Sequence, residues 1–164
     1  MATTRRFAPV AAGEGASYLI FDNLVTLKVT GAQTDGGYAV TETIVAPGGG
    51  VPGLHTHAAQ ETFYILAGKF AFPGPDGATI HASVGDVVHV PGGMPHTNLN
   101  VGGTTARYLA VFAPAGMDDF FAEVGEPVAY SATVPAAPGP PDMERFMAIC
   151  QKHGVAFAAP APSA

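Results

Sequence analysis

The chain has 164 residues, which is long enough for one domain to bury a sizeable core. Its formal net charge is −6 with only seven lysines and arginines, and this argues against a nucleic-acid partner because affinity for phosphate depends on basic side chains. No apolar run approaches the ~18 residues that would indicate a membrane span, and no continuous apolar segment follows the N-terminal arginines as in a secretory signal. With a single cysteine, Cys150, no internal disulfide can form, so we expect a cytoplasmic protein.

Charged residues make up 12% of the chain, about half the usual ~25% of soluble domains. Two interpretations remain open: part of the surface is buried against a second copy, or the composition simply reflects an abundance of alanine and glycine. Antiparallel barrels leave sheet edges that need covering. We therefore predict a homodimer built by sheet edges and the N-terminal arm.

From residue 17 to residue 113 the chain alternates short β-like segments with turns. The segments are rich in Val, Ile, Thr and Tyr, and glycine- and proline-rich turns such as Asp35-Gly36-Gly37 and the PGPDG run at 73–77 separate them. Strands this short, with such turns, are typical of an antiparallel sandwich or barrel. The predicted strands, after an irregular arm over residues 1–16, are 17–21, 24–30, 38–45, 61–66, 70–72, 78–84, 87–90, 98–101 and 107–113.

The pattern changes after Pro114. Asp118 or Asp119 can cap a short helix that Gly125 ends, and a proline-rich connection follows over residues 127–141. Asp142 then opens a second helix, whose apolar residues Met143, Phe146, Met147 and Cys150 are predicted to share its buried face. Gly154 suits the position after that helix, and the tail at 156–164 is predicted to be loose. We divide the chain into a barrel with its arm at 1–116 and a C-terminal extension at 117–164.

Three histidines and one glutamate lie in two stretches of this barrel. His55 and His57 are two residues apart, so on a strand both imidazoles face the same side. Glu61 heads the alternating run that follows, and His96 comes just after the turn Pro91-Gly92-Gly93. Such a donor set suits Fe, Mn, Ni, Cu or Zn. Gln60 is an alternative to Glu61, but the spacing to Gly68 favours the glutamate.

The two stretches resemble the motifs of the cupin family. Its first motif, G-x5-H-x-H-x3,4-E-x6-G, and its second, G-x5-P-x-G-x2-H-x3-N, are both matched without a departure, by Gly49, His55, His57, Glu61 and Gly68 and by Gly85, Pro91, Gly93, His96 and Asn100. The run ETFYILAGKFAF, the turn PGGMPH and the C-terminal extension are further similar to small single-domain cupins described as quercetin 2,3-dioxygenase-like.

This resemblance implies an all-β fold, the double-stranded β-helix or cupin jelly-roll barrel, with short C-terminal helices. It also implies one divalent transition metal (Fe, Ni, Mn, Co, Cu or Zn) held by His55, His57, Glu61 and His96, with Glu61 as the catalytic base. The implied function is a metal-dependent dioxygenase acting on a small oxygen-rich, flavonol-like or enediol substrate. The alternatives are a metal-containing binding or sensing barrel and a non-oxidative isomerase or cyclase.

Four further residues are candidates for the substrate pocket. Phe63 shares strand parity with Glu61 and is expected to face inward, and Phe112 is a second aromatic candidate. His89 and Met94 lie close to the second motif and could face the pocket or its mouth. The remaining histidines, His81 and His153, are expected at the surface, and Cys150 is expected to pack in the interior.

Overall fold

In the computed structural model, which describes residues 7–158, twelve strands and two α-helices succeed one another along the chain. Ten strands precede the first helix, and a 3₁₀ turn at Gly31–Gln33 separates the second and third of them. These ten strands are β1 Ser17–Ile20, β2 Asn23–Val29, β3 Ala39–Val45, β4 His55–Thr56, β5 Gln60–Ala67, β6 Lys69–Pro73, β7 Thr79–Ser83, β8 Val87–Val90, β9 Leu99–Asn100 and β10 Ala106–Ala113. The remaining elements are α1 Met117–Val124, β11 Glu126–Val128, α2 Met143–Lys152 and β12 Ala156–Phe157.

The strands form a large antiparallel sheet and two smaller ones. The seven-stranded sheet has the order β11-β1-β2-β3-β10-β5-β8, the three-stranded sheet has the order β7-β6-β9, and β12 pairs with β4. In the large sheet β1, β2 and β3 lie side by side, but β3 is followed by β10 and then β5. Strands β5 and β8, which belong to the first and second motif stretch, are neighbours in this sheet. The predicted all-β architecture with short C-terminal helices is confirmed.

The interior lies between the large sheet and the three-stranded sheet. Alternation along β5 and β10 turns every second side chain inward, so Phe63 and Tyr108 are buried. Phe70 and Phe72 of β6 meet them from the opposite sheet, with ring centroids 4.9 Å apart for Phe63 and Phe72 and 5.3 Å apart for Phe70 and Tyr108. These edge-on aromatic contacts close the barrel on the side away from the C-terminal helices.

The first helix begins differently from the prediction. Its N-cap is Gly116, and no side chain caps it there. Asp118 is instead buried, and its carboxylate accepts hydrogen bonds from the backbone N–H groups of Gly116 at 3.0 Å and Gly31 at 2.7 Å. The predicted cap was wrong because the glycine already supplies the turn, and the aspartate ties the helix to the loop after β2.

The second helix confirms its predicted start and corrects its predicted face. The Asp142 side chain accepts a hydrogen bond from the backbone N–H of Arg145 at 2.9 Å, as expected of an N-cap. The buried side chains are Phe146, Ile149 and Cys150, whereas Met143 and Met147 are each 47% exposed. The prediction of the buried face was therefore wrong for both methionines, because the helix is rotated so that its buried stripe includes Ile149.

The C-terminal tail is ordered as far as residue 158, in contrast to its predicted looseness. Ala156 and Phe157 form β12, which pairs with β4, and the Ala158 N–H donates to the Leu54 carbonyl at 2.8 Å. Residues 159–164 and residues 1–6, with the start of the predicted arm, lie outside the described part. The boundary after residue 116 stays a prediction. No helix among residues 7–158 is long and apolar enough to cross a membrane.

Candidate metal centre and cavity

Backbone pairing holds the two histidine stretches side by side. His55 and His96 form an isolated antiparallel bridge, in which His55 N–H donates to the His96 carbonyl at 2.9 Å and His96 N–H donates back at 3.0 Å. The Gly93 N–H donates to the His57 carbonyl at 2.8 Å, so the turn before His96 is fixed against the other stretch as well. Segments about forty residues apart in sequence thus meet at one end of the barrel.

The three imidazoles converge on one point. One nitrogen from each of His55, His57 and His96 lies within 4.8 Å of the others, and all three residues are buried. The Glu61 Oε2 atom lies 3.2 Å from His57 Nε2 and 3.1 Å from His96 Nε2. Glu61 reaches this point because strand alternation on β5 turns it inward, whereas its neighbour Gln60 is exposed.

The opposite ring nitrogens determine which atoms face this point. Nδ1 of His57 contacts the Ala59 carbonyl at 2.8 Å, and Nδ1 of His96 contacts the Met94 carbonyl at 2.8 Å. The corresponding contact of His55 with the Gly53 carbonyl is longer, at 3.4 Å. A carbonyl can only accept, so each Nδ1 must carry the proton and each Nε2 presents a lone pair.

This arrangement fits a bound cation. Lone pairs on Nε2 of His57 and His96 would face the lone pairs of the Glu61 carboxylate at hydrogen-bond distance, and two acceptors repel each other. Either an imidazole takes up a second proton or a positive ion lies among the four groups. Three neutral imidazoles and one carboxylate are the donors preferred by divalent first-row metals.

The buried surroundings change the pKa values of this cluster. Burial, with help from His96, lowers the pKa of His55 from 6.5 to about 4. Burial alone would raise the pKa of Glu61, but its contacts with His57 and His96 lower it below 4.5. Burial alone would lower the pKa of His96, yet the Glu61 carboxylate raises it above 6.5. His55 is therefore neutral at pH 7, whereas His96 binds a proton more readily than a free imidazole does.

The cluster opens onto an enclosed, mainly apolar cavity of about 80 Å³. Among residues 7–158, no lysine or arginine lines it, and Glu61 is its one carboxylate. Two of the predicted pocket residues, Phe63 and Phe112, line this cavity. The cavity is closed on the C-terminal side by aromatic rings from α1, α2 and β12, namely Phe120, Phe121, Phe146 and Phe157.

The other two predicted pocket residues lie elsewhere. His89 is exposed on β8, because its neighbours Val88 and Val90 take the inward positions, and it contacts the Thr62 hydroxyl at 3.0 Å. Met94 is 42% exposed at the turn before His96 and contributes its backbone carbonyl rather than its side chain. Neither side chain lines the cavity.

Several residues of the cavity were missed from sequence, among them two asparagines and an aromatic residue of the tail. Asn98 lies two positions after His96, and the shared parity could have indicated a common face. Asn23 starts β2 and carries no recognisable signal, since asparagine is common at turns. Phe157 was placed in a loose tail, yet its ring centroid lies 5.6 Å from that of His55.

Comparisons with known proteins agree with this geometry. Residues 41–112 match the family model described as Cupin domain. Quercetin 2,3-dioxygenase from Bacillus subtilis (strain 168) is 28% identical over 115 residues, which are 70% of this chain and 34% of that protein. The chain thus spans about a third of the length of this curated relative.

Two solved structures show the same fold. A predicted oxalate decarboxylase from Thermotoga maritima is 25% identical with a TM-score of 0.59, covering 65% of this chain and 99% of the other. The polyketide cyclase RemF from Streptomyces resistomycificus is 21% identical with a TM-score of 0.52, covering 91% and 95%. These likenesses confirm the predicted double-stranded β-helix.

Proposed function

Because the chain belongs to the cupin superfamily, we propose that it is a metal-dependent dioxygenase acting on a small, oxygen-rich substrate of the enediol type. The observation that carries this proposal is the convergence of three Nε2 lone pairs and one buried carboxylate at the end of an apolar cavity. His55, His57, Glu61 and His96 would hold a divalent transition metal, one of Fe, Ni, Mn, Co, Cu or Zn. The metal would supply a Lewis-acid position for a substrate oxygen.

Glu61 is the residue proposed to move a proton. Its Oε2 atom lies among the imidazoles and the residue is 5% exposed, so a substrate hydroxyl bound in the cavity has this carboxylate as its one anionic acceptor among the described residues. A carboxylate with a lowered pKa is ionised at neutral pH and can accept the proton of an enol or phenol. The aromatic walls, including Phe63 and Phe112, would keep water away from the resulting anion.

The size of the cavity favours a small substrate over a flavonol. One water-sized group needs ~10–15 Å³ of cavity volume, so a cavity of about 80 Å³ holds roughly five to eight such groups. Pockets for drug-sized ligands are several-fold larger, at ~300–1,000 Å³. A three-ring flavonol would require the C-terminal aromatic rings to move apart, whereas a single-ring or shorter enediol would not.

The charge of the cavity disfavours a small dicarboxylate such as the oxalate named for the Thermotoga maritima structure. In the described part of the chain the cavity is lined by no lysine or arginine, and Glu61 already contributes a negative charge there. A dianion together with the Glu61 carboxylate would exceed the charge of a divalent metal by one negative charge, and burying that excess with no cationic side chain to pair it is costly. A substrate that enters neutral and loses one proton to Glu61 avoids this cost.

Oxygen uptake by metal-loaded protein tests the proposal. The protein, stripped and reloaded separately with Fe, Ni, Co or Mn, is mixed with a panel of enediols, single-ring catechols and flavonols, with oxalate for comparison. We expect uptake of one O₂ per molecule of an enediol or catechol, and loss of uptake together with metal in His96→Ala. His89→Ala, which removes an exposed imidazole outside the cavity, should retain both the bound metal and the O₂ uptake.

Two results would contradict the proposal. Conversion of a substrate without O₂ uptake would assign the site to a non-oxidative isomerase or cyclase. Uptake that is equal in His96→Ala and wild type would show that the histidine cluster is not the site of reaction.

A further inference from the structure

Two buried asparagine side chains in the cavity each have an atom without a hydrogen-bond partner. They are the acceptor Asn23 Oδ1 and the donor Asn98 Nδ2. Asn23 is 5% exposed and Asn98 is 2% exposed, and both line the cavity next to the histidine cluster. Buried polar atoms are nearly always paired, because leaving one unpaired costs stability. These two atoms are therefore candidates for contact with a ligand.

The orientation of the Asn23 amide is fixed by its surroundings. Its Nδ2 group donates to the Ile20 carbonyl at 3.2 Å and to the Gly50 carbonyl at 3.1 Å. A flipped amide would point its oxygen at two carbonyl acceptors, so Oδ1 must be the atom that remains free.

The Asn98 amide is buried beside the Tyr108 hydroxyl, and its Nδ2 group makes no hydrogen bond. One asparagine thus offers an acceptor to the cavity and the other offers a donor.

The two asparagines belong to the same wall. Asn23 bonds to the Gly50 carbonyl, Gly50 forms a β-bridge with Leu99, and the next residue, Val51, donates its N–H to the Asn98 carbonyl at 3.1 Å. Asn98 is two residues from His96, which corresponds to about 7 Å along an extended chain. A free donor therefore lies within about 7 Å of His96 along the chain, and a free acceptor lies on the same wall.

We propose that Asn23 and Asn98 recognise a hydroxyl group on the far side of the substrate from the metal-binding oxygens. A hydroxyl can donate to Asn23 Oδ1 and accept from Asn98 Nδ2, whereas a carboxylate could only accept and would face the Asn23 oxygen. The substrate class is then a neutral single ring or short enediol that bears one more hydroxyl opposite its enediol edge. This inference rests on the proposed function only in taking the enediol edge to bind at the histidine cluster.

The test is a binding measurement that needs no turnover. Zn²⁺-loaded protein is titrated calorimetrically, without oxygen, with 1,2,4-trihydroxybenzene and with 4-methylcatechol, which carries a methyl group in place of the third hydroxyl. We expect the trihydroxy probe to bind wild type at least about tenfold more tightly, because the methyl group leaves both asparagine atoms unpaired. Equal affinities, tighter binding of 4-methylcatechol, or no binding of either probe would overturn the proposal.

Substitutions test whether Asn98 causes the tighter binding of the trihydroxy probe. Asn98→Leu should abolish this preference, while Thr97→Val should retain it, since Thr97 is also buried but does not line the cavity, and its hydroxyl donates to the Val51 carbonyl. If Asn98→Leu does not fold, Asn98→Asp keeps the size of the side chain and replaces the free N–H donor by an acceptor, so it should also lose the preference. A preference that is unchanged in the folded variant would contradict the proposal.

The same titration separates this inference from the oxygenase proposal. A clear preference in protein that consumes no O₂ with any substrate would support hydroxyl recognition and refute the dioxygenase. Oxygen uptake without any preference between the two probes would refute hydroxyl recognition alone.

Discussion

Metal binding should release a proton that the structure assigns to His96 and Glu61. In the metal-free protein burial opposes protonation of His96, but the Glu61 carboxylate at 3.1 Å raises the pKa of His96, so this imidazole keeps its proton to higher pH than a free imidazole does. His55, with a pKa of about 4, carries no proton there and releases none. A metal ion must displace the proton on His96, because only a neutral imidazole can bind it.

Binding should also stabilise the fold by a predictable amount. A ligand at one hundred times its Kd contributes about 2.7 kcal/mol to the free energy of unfolding. For a chain of this size, 1 kcal/mol corresponds to ~2–4 °C in Tm, so the expected rise is about 5–11 °C. Thermal denaturation of stripped protein, with and without Zn²⁺ or Ni²⁺, measures this rise.

Calorimetry in buffers of different ionisation enthalpy counts the protons released at pH 7. Glu61→Gln removes the carboxylate that raises the pKa of His96, so this variant should release fewer protons than wild type. His96→Ala should lose most of the metal-induced rise in Tm, and His89→Ala should retain it. Equal proton release by wild type and Glu61→Gln, or a full rise in Tm for His96→Ala, would refute the assigned geometry.

Four further predictions follow from the same contacts. Glu61→Gln should keep the fold and some metal but reduce turnover of an identified substrate by ~10²–10⁴, as expected for loss of a general base; unchanged turnover with metal bound would contradict this. In metal-free protein His55 should contribute a loss of about 2 kcal/mol of stability between pH 7 and pH 5, because the unfolded chain protonates it near pH 6.5 while the folded chain does so only near pH 4; the difference between wild type and His55→Gln in chemical denaturation measures this contribution. Phe157→Ala should widen the cavity and raise the affinity for a flavonol relative to a catechol in calorimetry; an unchanged ratio would show that Phe157 does not limit ligand size. Sedimentation at micromolar concentration should give a dimer, and Val87→Lys, at an exposed apolar position of the outermost strand β8, should favour the monomer; a wild-type monomer would contradict the predicted assembly.

Much of the barrel could be predicted because local sequence patterns, namely strand alternation and turn residues, agree with the observed fold. Strand β8 was predicted with its observed limits, 87–90, since a turn with a strained glycine precedes it and Pro91 ends it. The histidine cluster could be predicted because its members lie on strands or beside glycine and proline turns, where parity and spacing fix direction. Such positions depend little on what packs against them.

The mistaken predictions share a different cause. The rotation of α2 about its axis decides whether Met147 or Ile149 is buried. Contact with α1 sets this rotation, since Arg145 of α2 donates a hydrogen bond to the Glu123 carbonyl of α1 at 2.6 Å. Asp118 forms its bond to Gly31 across 87 residues, so no local pattern indicates it. The buried face of α2 and the hydrogen bonding of Asp118 both depend on contacts between elements that are distant in sequence.

The chemistry and the size of the cavity are set by different parts of the chain. The metal-binding atoms come from β4, β5 and the turn at His96. Backbone hydrogen bonds, such as those between His55 and His96, hold these segments together. As far as residue 158 the C-terminal segment contributes no metal-binding atom to that cluster, yet Phe146 and Phe157 cover it, with ring centroids 5.7 Å apart. Because Phe157 pairs with His55 only through the two-residue strand β12, few hydrogen bonds oppose its displacement. Ligand size can therefore change by movement or substitution of the tail while the histidine cluster keeps its geometry, and a change in substrate range without a change in metal affinity is the expected signature of this division.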